Sequence, residues 1–446
     1  MPPSSPAQPL ARPLLPIYAD GTPEAHAALA RLCARGESDF TRVEADVRAI
    51  LAGVRTGGDA AVLAYAERFD KRRPSPLVRR DYGGAAALAR LPAEARAALE
   101  TAAARVRAFH ERQQANEART FSFIDGDGCE LGTRVLPVAR AGVYAPGGKA
   151  RYPSSVLMSA IPAAVAGVKE ILLATPLAGD GSDDPLYAAA HLSGVTAVLD
   201  AGGAHAIAAL AYGTESVPRV DKIVGPGNLY VACAKRLVYG AVDIDGVAGP
   251  SEILVVADHT ADARVVAADL LSQAEHDEAA YPLLLCTEAA FAEAVAREVA
   301  RALESLPRRK IATASVEANG VAIVASSRAR LAEIAEAIAA EHVSLQVEDA
   351  ESMAAEIRSA GAIFLGPATP EAAGDYLAGP SHVLPTGGSV RFGSPLGVHD
   401  FVTRSSTLRY PLASLARQAG AITAFARLEG LEAHARAVEV RLASKK

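Results

Sequence analysis

Between about residue 135 and residue 385 the chain repeats one local pattern. A short apolar run is followed by a stretch with helical apolar spacing, again and again. Strand-like runs fit at 170–174, 197–200, 222–224, 253–257, 283–286, 321–324 and 363–366, each trailed by a helix-like segment. Strands alternating with helices imply parallel sheets, because a parallel neighbour is reached only through a long crossover, and such crossovers are right-handed. Two doubly wound units, about 131–250 and 251–380, account for this length. The predicted fold class is therefore α/β, with two doubly wound Rossmann-like domains.

The flanks read differently. Val43, Val47, Ile50, Leu51 and Val54 recur at helical spacing within 40–67, and Gly57-Gly58-Asp59 punctuates that helix. A second long helical pattern covers 91–116. These early helices are expected to pack on one of the two units. After Pro385 the alternation stops: 386–397 is a Gly-rich loop and 411–441 a helical tail with its own apolar face. Residues 1–20 look loose. The Pro-rich start has no charged lead into an apolar run, so it reads as a leader rather than a signal peptide.

Composition removes several classes. Half of the 446 residues are hydrophobic, which permits a large core without disulfide support. Cys33, Cys129, Cys233 and Cys286 are widely spaced with no C-x-x-C, as expected of reduced, mostly buried thiols in a cytoplasmic protein. No run reaches the roughly 18 apolar residues of a membrane span. There is no basic stripe and no aromatic-interleaved basic run, which argues against a nucleic-acid partner. The net charge of −6 suits a cationic small substrate, though only weakly.

The chemistry-bearing residues gather at element boundaries. Ala274-Glu275-His276 and Ala340-Glu341-His342 are identical tripeptides, and they hold the only Glu-His doublets. Each ends a helical pattern where an apolar run begins. Histidine titrates near working pH and is the commonest metal ligand, and a neighbouring carboxylate can orient it or act as a base itself. Gln273 and His276, three apart, share one helix face and could join a metal site. A polar helix C-terminus explains the first doublet at least as well, and a solvated helix end the second. Asp375, His382, His399, Asp400, Glu429 and His434 follow in the last third, and each taken singly reads as a cap, a turn residue or a solvated face. Pro146-Gly147-Gly148 and Gly225-Pro226-Gly227-Asn228 follow strands, where backbone could approach a phosphate. The pattern alone favours ordinary βα turns. G-x-G-x-x-G, H-E-x-x-H and G-x-S-x-G are all absent, which leaves a standard dinucleotide fingerprint, a zincin-type hydrolase and a serine hydrolase without support.

Taken together, these motifs resemble those of the L-histidinol dehydrogenase family, over about residues 40–441. The stretches that carry the resemblance are Gly142-Val-Tyr-Ala-Pro-Gly-Gly148, Gly213-Thr-Glu-Ser-Val-Pro-Arg-Val-Asp-Lys-Ile-Val-Gly-Pro-Gly-Asn228, Ala248-Gly-Pro-Ser-Glu-Ile253, Gln273-Ala-Glu-His276, Ala340-Glu-His342, Gly374-Asp375, Gly379-Pro-Ser-His-Val-Leu-Pro385 and Glu429 with His434, in the family's order.

The resemblance implies a four-electron oxidation of L-histidinol to L-histidine through a held aldehyde, with two NAD used in turn. It implies one zinc per subunit on Gln273, His276, Asp375 and His434. Glu341 and His342 would be catalytic: His342 takes the alcohol proton and Glu341 activates water. Substrate would touch Ser251, Gln273, His276, His342, Asp375, His382, Glu429 and His434, and NAD would touch Tyr144, His205 and Asn228. The family usually has Gln where this chain has His205. Both side chains can donate and accept hydrogen bonds, but only histidine can gain a charge at low pH.

By the same resemblance the domains are similar in fold to aldehyde dehydrogenases, without a catalytic cysteine. Residues 41–130 with 251–385 would form a first α/β domain, 131–250 the NAD-associated domain, 1–40 a flexible leader, and 386–446 a helical arm reaching the partner of a homodimer. The arm would place Glu429 and His434 in the partner's site. The rivals are a relative acting on another amino alcohol or diol, a zinc hydrolase that makes no NADH, and a catalytically silent binding module.

Overall fold

The alternation resolves into two six-stranded sheets. The computed structural model describes residues 14–36, 40–117, 119–147 and 152–443. Gly148 and residues 1–13 of the leader lie outside these. One sheet runs Ile17–Ala19, Val321–Val324, Tyr281–Cys286, Glu252–Ala257, His342–Gln346, Ala362–Leu365, all parallel. The other runs Val78–Arg79, Ala197–Leu199, Glu170–Ala174, Arg140–Tyr144, Lys222–Val224, Asp243–Ile244, parallel except for its first strand. Central strands such as Glu252–Ala257 are buried from end to end, as expected where helices cover both faces.

Two expectations about domain membership are corrected. Residues 41–117 do not join 251–385; they pack on the helices of the 131–250 domain and give its sheet the edge strand Val78–Arg79. Helix Thr41–Phe69 lies on helices Gly203–Tyr212 and Leu229–Val238, and helix Ala93–Glu117 lies on Pro153–Ala166. The cause is complementary burial: Val43, Val47, Ile50 and Val54 share one core with Ile207, Leu210 and Val231, opposite a face rich in alanine that lets helices approach closely. Within Thr41–Phe69, Gly58 takes φ +53, and a Cβ there would run into the Glu215 carboxylate. Glycine is required at that kink. Second, the leader is structured from Leu14. Ile17–Ala19 pairs with Val321–Val324, and helix Pro23–Ala34 packs on Arg328–Ile338.

A third sheet goes unread in the sequence. Val402–Arg409, Glu130–Pro137 and Phe121–Ile124 form an antiparallel ribbon that joins the C-terminal arm to the middle of the chain. Its outer strands are largely exposed and none of the three is buried, so they lack the alternation that marks a half-buried strand. The helical tail divides at Gly430 into Leu412–Leu428 and Glu432–Ala443. Phe425 and Leu428 are 63% and 80% exposed. Among the described residues no helix is long and apolar enough to cross a membrane. The four cysteines are free, and Cys33 is exposed rather than buried.

Candidate active site

The two sheets face one another across a cleft of about 1920 Å³. That exceeds the volume a single small ligand usually occupies. The 131–250 sheet presents the carboxyl ends of its strands at the point where strand order reverses, between Arg140–Tyr144 and Lys222–Val224. Ligands of doubly wound sheets bind there. Gly225 carries φ +113 at that edge, and a Cβ on it would meet the carbonyl of Tyr144. The other sheet presents its amino ends: His342 and Glu252 each begin a strand. His276, Glu341 and His342 therefore reach the cleft from helix-to-strand junctions.

Glu341 and His342 are 5% and 4% exposed. Nδ1 of His342 lies 2.9 Å from the carbonyl oxygen of Glu252. A carbonyl only accepts, so Nδ1 carries the proton and Nε2 is the basic nitrogen. Burial lowers the His342 pKa to about 4, leaving the ring neutral at working pH. Glu341 Oε2 accepts the Glu252 N–H at 2.8 Å, 3.6 Å from His342 Nδ1. Burial, reinforced by the Glu252 charge, pushes the Glu341 carboxyl well above its ordinary value. The arrangement provides a neutral imidazole base beside a carboxyl of raised basicity.

Beside them stands a cluster of nitrogen and oxygen donors. Gln273 is fully buried at the end of helix Ala263–Ala274, its Nε2 3.3 Å from His276 Nδ1, while its Oε1 has no protein partner. Asp375 Oδ1 is 3.4 Å from His382 Nδ1. Burial opposes ionisation of Asp375, but the hydrogen bond and charge of His382, with His342 and His276, hold its pKa below the ordinary value. Burial lowers the His276 pKa, against the pull of Asp375. Among the described residues, His342, Glu371 and Asp375 bring ligand atoms within 4.8 Å of one another. An orphaned amide oxygen, imidazoles and a carboxylate make a donor set that fits zinc.

Tyr144 ends its strand in the cleft, and its hydroxyl accepts the N–H of Gly203 at 3.0 Å. Asn228 lines the cleft and caps helix Leu229–Val238, its Oδ1 accepting the N–H groups of Tyr230 and Val231. His205 is 1% exposed, its ring about 6 Å from those of Tyr65 and Phe69 and its Nε2 3.8 Å from Asp70. Burial lowers its pKa to about 4, and neither ring nitrogen has a hydrogen-bond partner in the protein. Ser251 lines the cleft just before strand Glu252–Ala257. His399 and Asp400 pair with each other at 3.3 Å.

Glu429 and His434 are not brought together with the others. Both are exposed on the arm and absent from the lining of their own chain's cleft. The sequence also misses Glu371, which is 2% exposed with Oε1 3.7 Å from His342 Nδ1. Burial, then the Asp375 charge, pushes its carboxyl well above the ordinary value. Its spacing of four from Asp375 on one helix was the available signal. Glu252 lay inside the Ala248–Ile253 motif without an assigned role, and Arg35 carried no signal.

Two doubly wound α/β domains that share one cleft, lined by a buried imidazole and carboxyl beside a donor cluster, define a two-domain α/β enzyme. Residues 33–442 match the model of one family, described as histidinol dehydrogenase. The chain is 50% identical over 418 residues to the histidinol dehydrogenase of Syntrophotalea carbinolica, covering 93% of this chain and 96% of that protein. It is 49% identical to that of Aromatoleum aromaticum, covering 94% and 96%. The crystal structure of histidinol dehydrogenase from Elizabethkingia anophelis superposes with a TM-score of 0.89 at 33% identity, over 97% of this chain and 98% of that one. The chain belongs to the histidinol dehydrogenase family.

Proposed function

We propose that this chain catalyses the four-electron oxidation of L-histidinol to L-histidine through histidinal, the last step of histidine biosynthesis, with NAD as oxidant and one zinc per subunit. The observation that carries the reading is His342, its Nδ1 hydrogen-bonded to the Glu252 carbonyl beside Glu341, in a cleft that also holds Gln273, His276 and Asp375. Family membership supports it. Those three residues would hold zinc, with His434 supplied by a second copy of the chain. Zinc, when bound, supplies a Lewis-acid anchor for the imidazole and amino nitrogens of the substrate. NAD, when bound, supplies the hydride acceptor of each oxidation. Tyr144, His205 and Asn228 would line its site, and Ser251, His382 and the second chain's Glu429 would touch substrate.

The protein's own contribution is proton transfer. As the carbinol hydrogen leaves with its electron pair, Nε2 of His342 takes the hydroxyl proton, and histidinal results. Glu341 then takes a proton from water as its oxygen bonds to the aldehyde carbon, while His342 returns its proton to the carbonyl oxygen. In the second oxidation hydride leaves the hydrate carbon and His342 takes a hydroxyl proton, giving the carboxyl group. A homodimer with shared sites is supported by the exposed arm, where Phe425 and Leu428 lie open in the single chain. Free cysteines fit a cytoplasmic location.

The test is direct. Purified protein with L-histidinol and NAD should form NADH, and complete metal removal should abolish that activity. No NADH would refute the reaction. Activity surviving metal removal would refute the zinc assignment.

A further inference from the structure

Behind the proposed catalytic doublet lies a buried ion pair with no assigned role. Arg35 and Glu252 have side chains only 1% exposed. Glu252 Oε1 accepts from Arg35 Nε at 2.7 Å and from the Gly387 N–H at 2.8 Å; Oε2 accepts from Arg35 Nη2 at 2.6 Å and from the Glu341 N–H at 3.1 Å. The main chain of Glu252 completes the grip, since its N–H donates to Glu341 Oε2 and its carbonyl accepts Nδ1 of His342. One residue thus contacts both catalytic side chains.

Arg35 extends the arrangement to the turn that delivers them. Nη1 and Nη2 donate to the carbonyls of Ile338 and Ala339, at 2.8 and 3.1 Å, where helix Arg328–Ile338 ends. Ala339 takes φ +51, a left-handed conformation that a residue with a Cβ adopts at a cost. The Arg35 fork therefore ties the strained turn before Glu341 to the carboxylate of Glu252. Burying such a pair is a poor route to stability, because desolvation offsets the attraction. A planar bidentate fork is, however, a rigid way to set geometry.

We propose that Arg35 and Glu252 are positioning residues for the reaction. They act through Glu341 and His342, fixing the carboxylate of one and the tautomer and ring orientation of the other. Arg35 follows helix Pro23–Ala34, so the N-terminal segment is part of the catalytic scaffold. The inference rests on the proposed roles of Glu341 and His342.

Three full-length variants test it: Glu252→Gln, Arg35→Lys, and the double Arg35→Met/Glu252→Gln, which leaves no unpaired buried charge. In Glu252→Gln kcat should fall about 10²-fold, the usual cost of misplacing a catalytic group by about 1 Å, while KM for histidinol and bound zinc stay at wild-type values. The double variant should regain the wild-type melting temperature without regaining kcat. Arg35→Lys keeps the charge but loses the fork, and should lower kcat about ten-fold at unchanged KM. If Glu252→Gln does not fold, Arg35→Lys carries the test. Native kcat in folded Glu252→Gln or in Arg35→Lys, or native kcat restored together with stability in the double variant, would overturn the proposal. Wild-type protein that makes no NADH from histidinol would instead sink the reaction assignment.

Discussion

Nδ1 of His342 donates to the main-chain oxygen of Glu252, a residue 90 positions earlier in the chain. That single bond selects the tautomer and leaves Nε2 as the only basic nitrogen of a ring that burial keeps neutral. His342→Ala should therefore lower kcat about 10²- to 10⁴-fold for both histidinol and histidinal. Glu341→Ala should impair histidinal oxidation more than histidinol oxidation, because only the aldehyde requires activated water. Steady-state rates with each substrate supplied separately decide this. Equal losses in the two reactions would refute the division of labour.

Gln273 Oε1 is buried without a protein partner, beside His276. If zinc satisfies it, Gln273→Ala and Asp375→Asn should each lower bound zinc after dialysis, with activity falling in parallel. Metal analysis of the dialysed protein checks this. Full zinc occupancy in both variants would remove these residues from the ligand set.

His205 gives an acid-stability prediction. Its folded pKa is about 4, below the unfolded value near 6.5. Between those limits the unfolded chain binds more protons, so stability rises with pH. The contribution is fully present above pH ~6.5 and is lost as pH falls toward about 4, on the order of 3 kcal/mol at most. His205→Gln should flatten the acid limb of melting temperature against pH. An unchanged limb would mean the ring is not held neutral by burial.

Gly58 holds the kink that lets Thr41–Phe69 lie along the 131–250 domain, and the Asp59 N–H donates to Glu215 Oε2 at 2.7 Å there. Gly58→Ala should destabilise by about 1–3 kcal/mol, because φ +53 opposes a Cβ and the Glu215 carboxylate must move. Thermal unfolding measures it. A variant as stable as wild type would show that the kink relaxes freely.

The proposed sharing of sites between subunits rests on Glu429 and His434, which are exposed on the arm. A His342→Ala chain combined with a Glu429→Ala/His434→Ala chain should regain activity, since each heterodimer would pair one intact cleft with one intact arm. Verified heterodimers without activity would place both residues outside the partner's cleft.

Most of the parallel strands were legible because apolar runs and helix spacing are local signals. The kink at Gly58 was legible for the same reason. Strand His342–Gln346 was missed as a strand, since its polar opening residues disguise a run that is buried throughout. The antiparallel ribbon was missed because its strands are exposed and bury no face of their own. The residues assigned to the cleft came from motif order, and their spacing alone left each doublet indistinguishable from a polar helix end.

By itself the sequence determined the alternation, the two doubly wound units and the residue types available for acid–base and metal chemistry. These depend on period and composition over a few turns of chain. Only the tertiary structure decided that helices 41–117 pack on the helices of the 131–250 domain, that the cleft meets strand beginnings of one sheet and strand ends of the other, and that Arg35 lies behind Glu252. The physical reason is distance along the chain. Arg35 and Glu252 are 217 residues apart, and the burial that keeps His342 and His205 neutral comes from elements no local window contains.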